Sequence, residues 1–110
     1  MSESFPIGEL DERAVLEAET RTPDGSGGVT LGWKPVATLW AARRPTSGAE
    51  DFSSDRTRGR IETEIIIRHR AGVVPAMRFR IGQSAFEIQA VIETGGRKRF
   101  LRCLTVQRDL

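Results

Sequence analysis

Apolar and polar residues alternate with a period of two along most of this chain, the spacing of half-buried β-strands. Residues 13–21 place Ala14, Leu16, Ala18 and Thr20 on one face, and Arg13, Val15, Glu17, Glu19 and Arg21 on the other. Thr22-Pro23-Asp24-Gly25-Ser26-Gly27-Gly28 is turn chemistry, because proline presets φ and glycine supplies positive φ. Residues 29–34 form the return strand. Pro35, which has no N–H to donate, is predicted to break it before a third strand over 36–44. Residues 60–70 read as the longest strand, with Ile61, Thr63, Ile65 and Ile67 on one face. Its other face, Glu62, Glu64, Ile66, Arg68 and Arg70, is predicted to be solvated or to meet a partner. Residues 77–81 and 86–92 flank Gly82-Gln83-Ser84 as a second hairpin. After Thr94-Gly95-Gly96-Arg97, residues 98–107 close the set, with Phe100, Leu104 and Val106 on one face and Arg102 reaching its edge.

No helical period is sustained, so the pattern predicts an all-β domain. A small bent sheet or closed β-barrel of about six or seven short strands fits the length. One long loop, residues 45–59, protrudes from it. It is polar, and Phe52 is its only large apolar residue. Loops this long are uncommon in small domains and are usually functional or disordered. A lone subunit gains little apolar burial from the loop, while ordering costs about 1 kcal/mol or more per residue. It is expected to be mobile in the monomer, and amide protection across residues 46–58 of the isolated chain would refute this. Residues 1–12 form an N-terminal arm in which Pro6 and Gly8 disfavour regular structure.

At 110 residues the chain fits one domain, with a 38% hydrophobic fraction sufficient for one small core. No run of residues is long and apolar enough to span a membrane. The polar, acidic opening Met1-Ser2-Glu3-Ser4 is not a signal segment, so synthesis in the cytoplasm is expected. A single cysteine, Cys103, excludes an internal disulfide and fits a reducing compartment. The net charge of +2 hides an asymmetry: residues 1–55 balance at −5 and residues 56–110 at +7. Opposite halves of one fold can neutralise each other, neighbouring copies can meet with complementary charge, or the basic half can face a polyanion.

Catalytic and metal chemistry is not indicated. His69 is the only histidine, and one cysteine beside it does not make a zinc site. Cys103 reads as a small buried apolar residue, and Glu62 with Glu64 as surface charges. Gly25-Ser26-Gly27-Gly28 resembles a phosphate cradle only in composition, since no Lys-Ser/Thr follows it. Trp33 and Trp40 flank Pro35, and at least one is expected in the core. No enzyme activity and no cofactor are predicted. Arg56, Arg58 and Arg60 recur at every second position as the loop enters its strand, and Arg43 and Arg44 stand at the other root. In a ring with loops pointing inward, such charges would touch phosphates without reading sequence.

The stretch from Gly8-Glu9-Leu10-Asp11-Glu12-Arg13 through the 22–28 turn, Trp33 and Val36-Ala37-Thr38-Leu39-Trp40-Ala41 resembles the tailed-phage head–tail joining (head-closure or stopper) proteins. Pro45-Thr46-Ser47-Gly48-Ala49-Glu50 is similar to the start of that family's long loop. Residues 78–91 are similar to its closing hairpin, and Arg99-Phe100-Leu101-Arg102-Cys103-Leu104 to its ending. Ala85 stands where the family commonly has a bulkier or charged residue.

The resemblance implies a small β-barrel in a homo-oligomeric ring at the virion neck, with a portal or adaptor ring above and a tail protein below. It also implies that the long loop faces the channel or a neighbouring copy, making Thr46, Ser47, Gly48, Glu50, Asp51, Phe52 and Asp55 the inter-subunit or channel residues. Arg56, Arg58 and Arg60 are then the candidate contacts to passing double-stranded DNA. Two alternatives stay open: a small nucleic-acid-binding β-barrel acting as a monomer, and a related tail-completion protein.

Overall fold

The computed structural model describes residues 9–46 and 63–109. Six antiparallel strands form one closed barrel: β1 (Glu12–Pro23), β2 (Val29–Pro45), β3 (Thr63–Arg68), β4 (Arg78–Ile81), β5 (Ser84–Thr94) and β6 (Phe100–Asp109). Their order around the barrel is β1-β2-β3-β6-β5-β4. Closure is how so short a chain removes the edges that an open sheet would expose.

The interior follows the alternation. Ala14 and Leu16 of β1, Ala41 of β2, Ile65 and Ile67 of β3, Phe79 of β4, Phe86 and Ile88 of β5, and Leu101 and Cys103 of β6 are all buried in one cluster. The tight β4–β5 hairpin turns at Gly82 and Gln83, where Gly82 takes φ 60° and Ile81 faces Ser84. Glycine at that position supplies the left-handed backbone that a two-residue hairpin turn needs. Cys103 is fully buried, as expected, and burial pushes its thiol up to about 12.

The structure corrects the sequence reading in several places. Residues 29–45 are one strand, so there are six strands and not seven. Pro35 does not break β2. It sits opposite Glu17, and the register shifts there so that Val36 forms a bulge. β2 pairs with β3 only from Ala41 onward, so Pro35 has no third strand to pair with on its second edge. The inward face of β6 holds Leu101, Cys103 and Thr105. Phe100 instead packs with Leu10, Ala42 and Ile66 in a second, smaller cluster. Ile66 is therefore buried, not solvated.

Of the two tryptophans, neither joins the core. Trp33 lies under Arg78, whose guanidinium is 4.2 Å from the ring centroid. Trp40 is 52% exposed, with Arg13 stacked 4.8 Å from its ring.

β1 and β2 outrun the barrel. β4 covers β1 only over residues 15–17, and β3 covers β2 only from Ala41, so residues 18–23 and 29–34 pair with nothing but each other. They make a two-stranded ribbon whose outer residues Val29 and Leu31 are more than half exposed. At its tip the Asp24 carboxylate accepts the N–H groups of Ser26 (2.8 Å) and Gly28 (3.1 Å). The Ser26 bond first, and then the Gly28 bond, hold that carboxyl below the usual carboxylate range.

Candidate functional site at the loop-bearing end of the barrel

Antiparallel pairing sends the chain termini of the strands to two opposite ends. The end of β2, the start of β3, the start of β1, the end of β6 and the Gly82–Gln83 turn share one end. Pro45 faces Thr63 there, so the long loop leaves and re-enters through neighbouring positions. Thr105 donates its hydroxyl to the carbonyl of Thr63 at 2.7 Å, fixing the second root in the buried interior.

The two arginines of the first root are engaged by the segment that leads into β1. Arg43 grips Glu12 with both ends of its guanidinium, Nε to Oε2 at 3.1 Å and Nη2 to Oε1 at 3.0 Å. The same guanidinium lies 5.7 Å from the Phe86 ring centroid. Arg44 pairs with Glu9. The sequence marked this root as basic; the structure pairs both guanidiniums with carboxylates of the same half of the chain, so these pairs do not draw on the charge asymmetry between the halves. Both pairs are well exposed, so their function is to set local charge more than to hold the fold.

Thr46 is half-buried and ends the described part of the first root. Ser47, Gly48, Glu50, Asp51, Phe52 and Asp55, with Arg56, Arg58 and Arg60, lie outside the described residues, as does most of the N-terminal arm. Of that arm, residues 9–12 are described: Leu10 is buried against Ile66, and Glu12 is already the first residue of β1.

Two features went unread in the sequence. Glu17, grouped with Arg13, Val15, Glu19 and Arg21 on one strand face, is 6% exposed. It bridges Arg78 (2.7 Å) and Arg80 (3.2 Å) at the root of the ribbon. The signal was the facing pair of strands, since Glu17 sits opposite Arg78, but that pairing is not local in sequence. Glu64 takes Arg102 at 2.8 and 3.3 Å, so the arginine that interrupts the apolar face of β6 does reach a partner across the strand. Among the described residues, no three His, Cys, Asp or Glu side chains converge as a metal site.

Comparison with known proteins agrees with this architecture. The family model of the phage head completion proteins matches residues 5–108. Among solved structures, a chain in the virion of a native gene transfer agent particle superposes with a TM-score of 0.65 and is 27% identical. That match covers 91% of this chain and 94% of the other. Protein SF1141 from Shigella flexneri 2a, solved in solution, gives a TM-score of 0.68 at 24% identity, covering 96% of each chain, and speaks to the fold alone. No curated protein matches the chain. A match over residues 5–108 takes in the whole barrel together with the long loop, and on it the chain belongs to the phage head completion protein family, with a structural role at the head–tail region of a phage or phage-like particle.

Proposed function

We propose that this chain is a ring-forming closure component of the neck of a phage or phage-like particle, joining the DNA-filled head to the tail and controlling DNA passage. The observation that carries the reading is the family match across residues 5–108, joined to a closed barrel that bears its one long loop from two adjacent strands at one end. In this reading residues 46–59 meet the channel or the next copy. Strand addition between neighbouring loops would satisfy their backbones and offset the ordering cost that a single copy cannot meet. The ring's neighbours are the portal or adaptor ring above and a tail protein below. The particle is the final location, with synthesis and assembly in the bacterial cytoplasm.

The mass of the purified chain, alone and mixed with its neck components, tests this. The expected result is a monomer that enters a closed ring on its partners. A chain that stays monomeric with those partners sinks the reading and promotes the solitary nucleic-acid binder. Replacing Arg56, Arg58 and Arg60 together by Ala is expected to leave the melting temperature of the monomer unchanged, because these positions precede the described part of β3.

A further inference from the structure

Among the described residues, most arginines are matched to a carboxylate. Arg21 faces Glu19, Arg43 faces Glu12, Arg44 faces Glu9, Arg78 and Arg80 share Glu17, Arg102 holds Glu64, and Arg108 reaches Glu87. Four are not. Arg68, Arg70, Arg97 and Arg99 make no ion pair with any described residue. All four stand at the end of the barrel opposite the long loop, on the two segments that leave β3 and enter β6.

The two segments are tied together. Arg68 is in register with Phe100, and the N–H of His69 donates to the carbonyl of Arg99 at 2.7 Å. A groove of about 680 Å³ opens beside them, bordered by His69, Arg70, Val73, Glu93 and Leu101. Its one carboxylate, Glu93, is taken up by His69 at 3.2 Å. Arg70 shares this groove with Glu93, and Arg68 borders a second groove with Asp11, yet neither guanidinium comes within ion-pair distance of a described carboxylate.

Arg97 adds an independent observation. Its backbone is left-handed, φ 59° and ψ 27°, a conformation that L side chains adopt at a cost. Gly95 and Gly96 immediately precede it, so the turn already uses glycine where it needs freedom, yet an arginine occupies the strained position. An exposed arginine in that conformation contributes nothing visible to packing.

We propose that Arg68, Arg70, Arg97 and Arg99 form a docking site for the phosphate backbone of double-stranded nucleic acid. All four are arginine, whose planar fork binds two phosphate oxygens at once. Phe100, the ring nearest in sequence to these positions, is half-buried and packed on Ile66, so the site offers charge without a stacking platform. That combination suits a duplex backbone better than unpaired bases. A single copy binds weakly, and a ring repeats the site so that many weak contacts act together. The biological setting rests on the neck reading above; the binding chemistry does not.

The test is titration of a fluorescent duplex of about 20 base pairs with the intact chain at several salt concentrations. Counterion release predicts that log K falls with log[salt] with a slope of about −3 to −4 for four contacts. Arg68→Gln, Arg70→Gln, Arg97→Gln and Arg99→Gln combined should weaken binding about 100-fold at low salt and bring the slope below about one in magnitude. Arg43→Gln with Arg44→Gln should leave both unchanged. If the combined variant does not fold, the pair Arg68→Gln and Arg99→Gln carries the test, with half the loss of slope.

The inference falls if wild type does not bind duplex at low salt, or if the far-end variant binds as wild type does. It also falls if Arg56→Ala, Arg58→Ala and Arg60→Ala abolish binding that the far-end variant keeps. Displacement of the duplex by polyglutamate of equal charge, at equal concentration, would assign the site to an acidic protein and overturn it too. Ring formation on the neck partners is read separately: a ring without duplex binding removes this site and leaves the neck reading standing.

Discussion

The two ends of this barrel treat positive charge in opposite ways. At the loop-bearing end, Arg43 and Arg44 are neutralised by Glu12 and Glu9, carboxylates delivered by the segment that enters β1. At the far end, Arg68, Arg70, Arg97 and Arg99 form no ion pair with a described carboxylate. The contrast teaches that a count of arginines along a chain says little about where a polyanion could settle. What matters is which guanidiniums the fold has already engaged. Arginines held by a carboxylate in a half-dry setting serve the structure, whereas exposed unmatched ones are free to serve a partner.

That distinction can be broken by substitution, and the strongest test is at the ribbon root. Glu17→Ala strands the mostly buried Arg78 beside Trp33 and should cost about 3 kcal/mol or more in denaturant unfolding. A loss within error would place this bridge with the exposed pairs. Next, Gly95→Ala probes how tightly the far-end turn is built. Gly95 has φ 84°, and a Cβ there would lie 2.9 Å from the Phe100 ring. A loss of about 2 kcal/mol is expected, and a neutral result would mean that the turn carrying Arg97 and Arg99 yields easily.

Cys103, in the interior that both ends share, gives the pH dependence. Burial holds its thiol protonated in the folded state up to about 12, against an ordinary value of 9.0. Between those values the unfolded chain binds fewer protons than the folded one, so stability is whole below pH 9 and falls as pH rises. The slope should approach about 1.4 kcal/mol per pH unit. Cys103→Ala should remove that component of the alkaline decline while lowering stability at neutral pH, as equilibrium unfolding from pH 7 to 10.5 would show.

Smaller effects sharpen the comparison further. Glu9→Gln with Glu12→Gln should cost no more than about 1 kcal/mol, since both pairs are exposed. Freeing Arg43 and Arg44 should also steepen the salt dependence of duplex binding by about two phosphate contacts. Smallest of all, each far-end Arg→Gln change should alter stability by less than about 0.5 kcal/mol. Arg97→Gly should be neutral or stabilising by up to about 1 kcal/mol, because glycine relieves the left-handed strain. A large loss there would make Arg97 a structural residue.

Much of the architecture is legible without coordinates. The turn at Asp24–Gly28, the Gly82 hairpin, the long loop and the alternation in β1, β4 and β5 are local signals, written in neighbouring residues. Pro35 misled because its penalty depends on whether its second edge is paired, which only the length of β3 settles. Ile66 and Phe100 misled for a related reason. Alternation sorts residues onto two faces but cannot say that both faces are covered, here by the barrel inside and by Leu10 outside. Of the candidate site, the loop was visible as a composition break. The engagement of its root arginines was not, because Glu9 lies 35 positions from Arg44.

The sequence by itself determined the all-β class, the hairpins, the position of the long loop and the burial of Cys103, because turn chemistry and a period of two act between residues one to four apart. The tertiary structure alone decided which strands close the barrel, that Glu17 is buried between two arginines, and which guanidiniums remain unmatched. Those outcomes depend on distance in space. The Coulomb energy of an ion pair and the shielding of a side chain are set by whatever the fold brings within a few ångströms, and the order of residues along the chain does not record it.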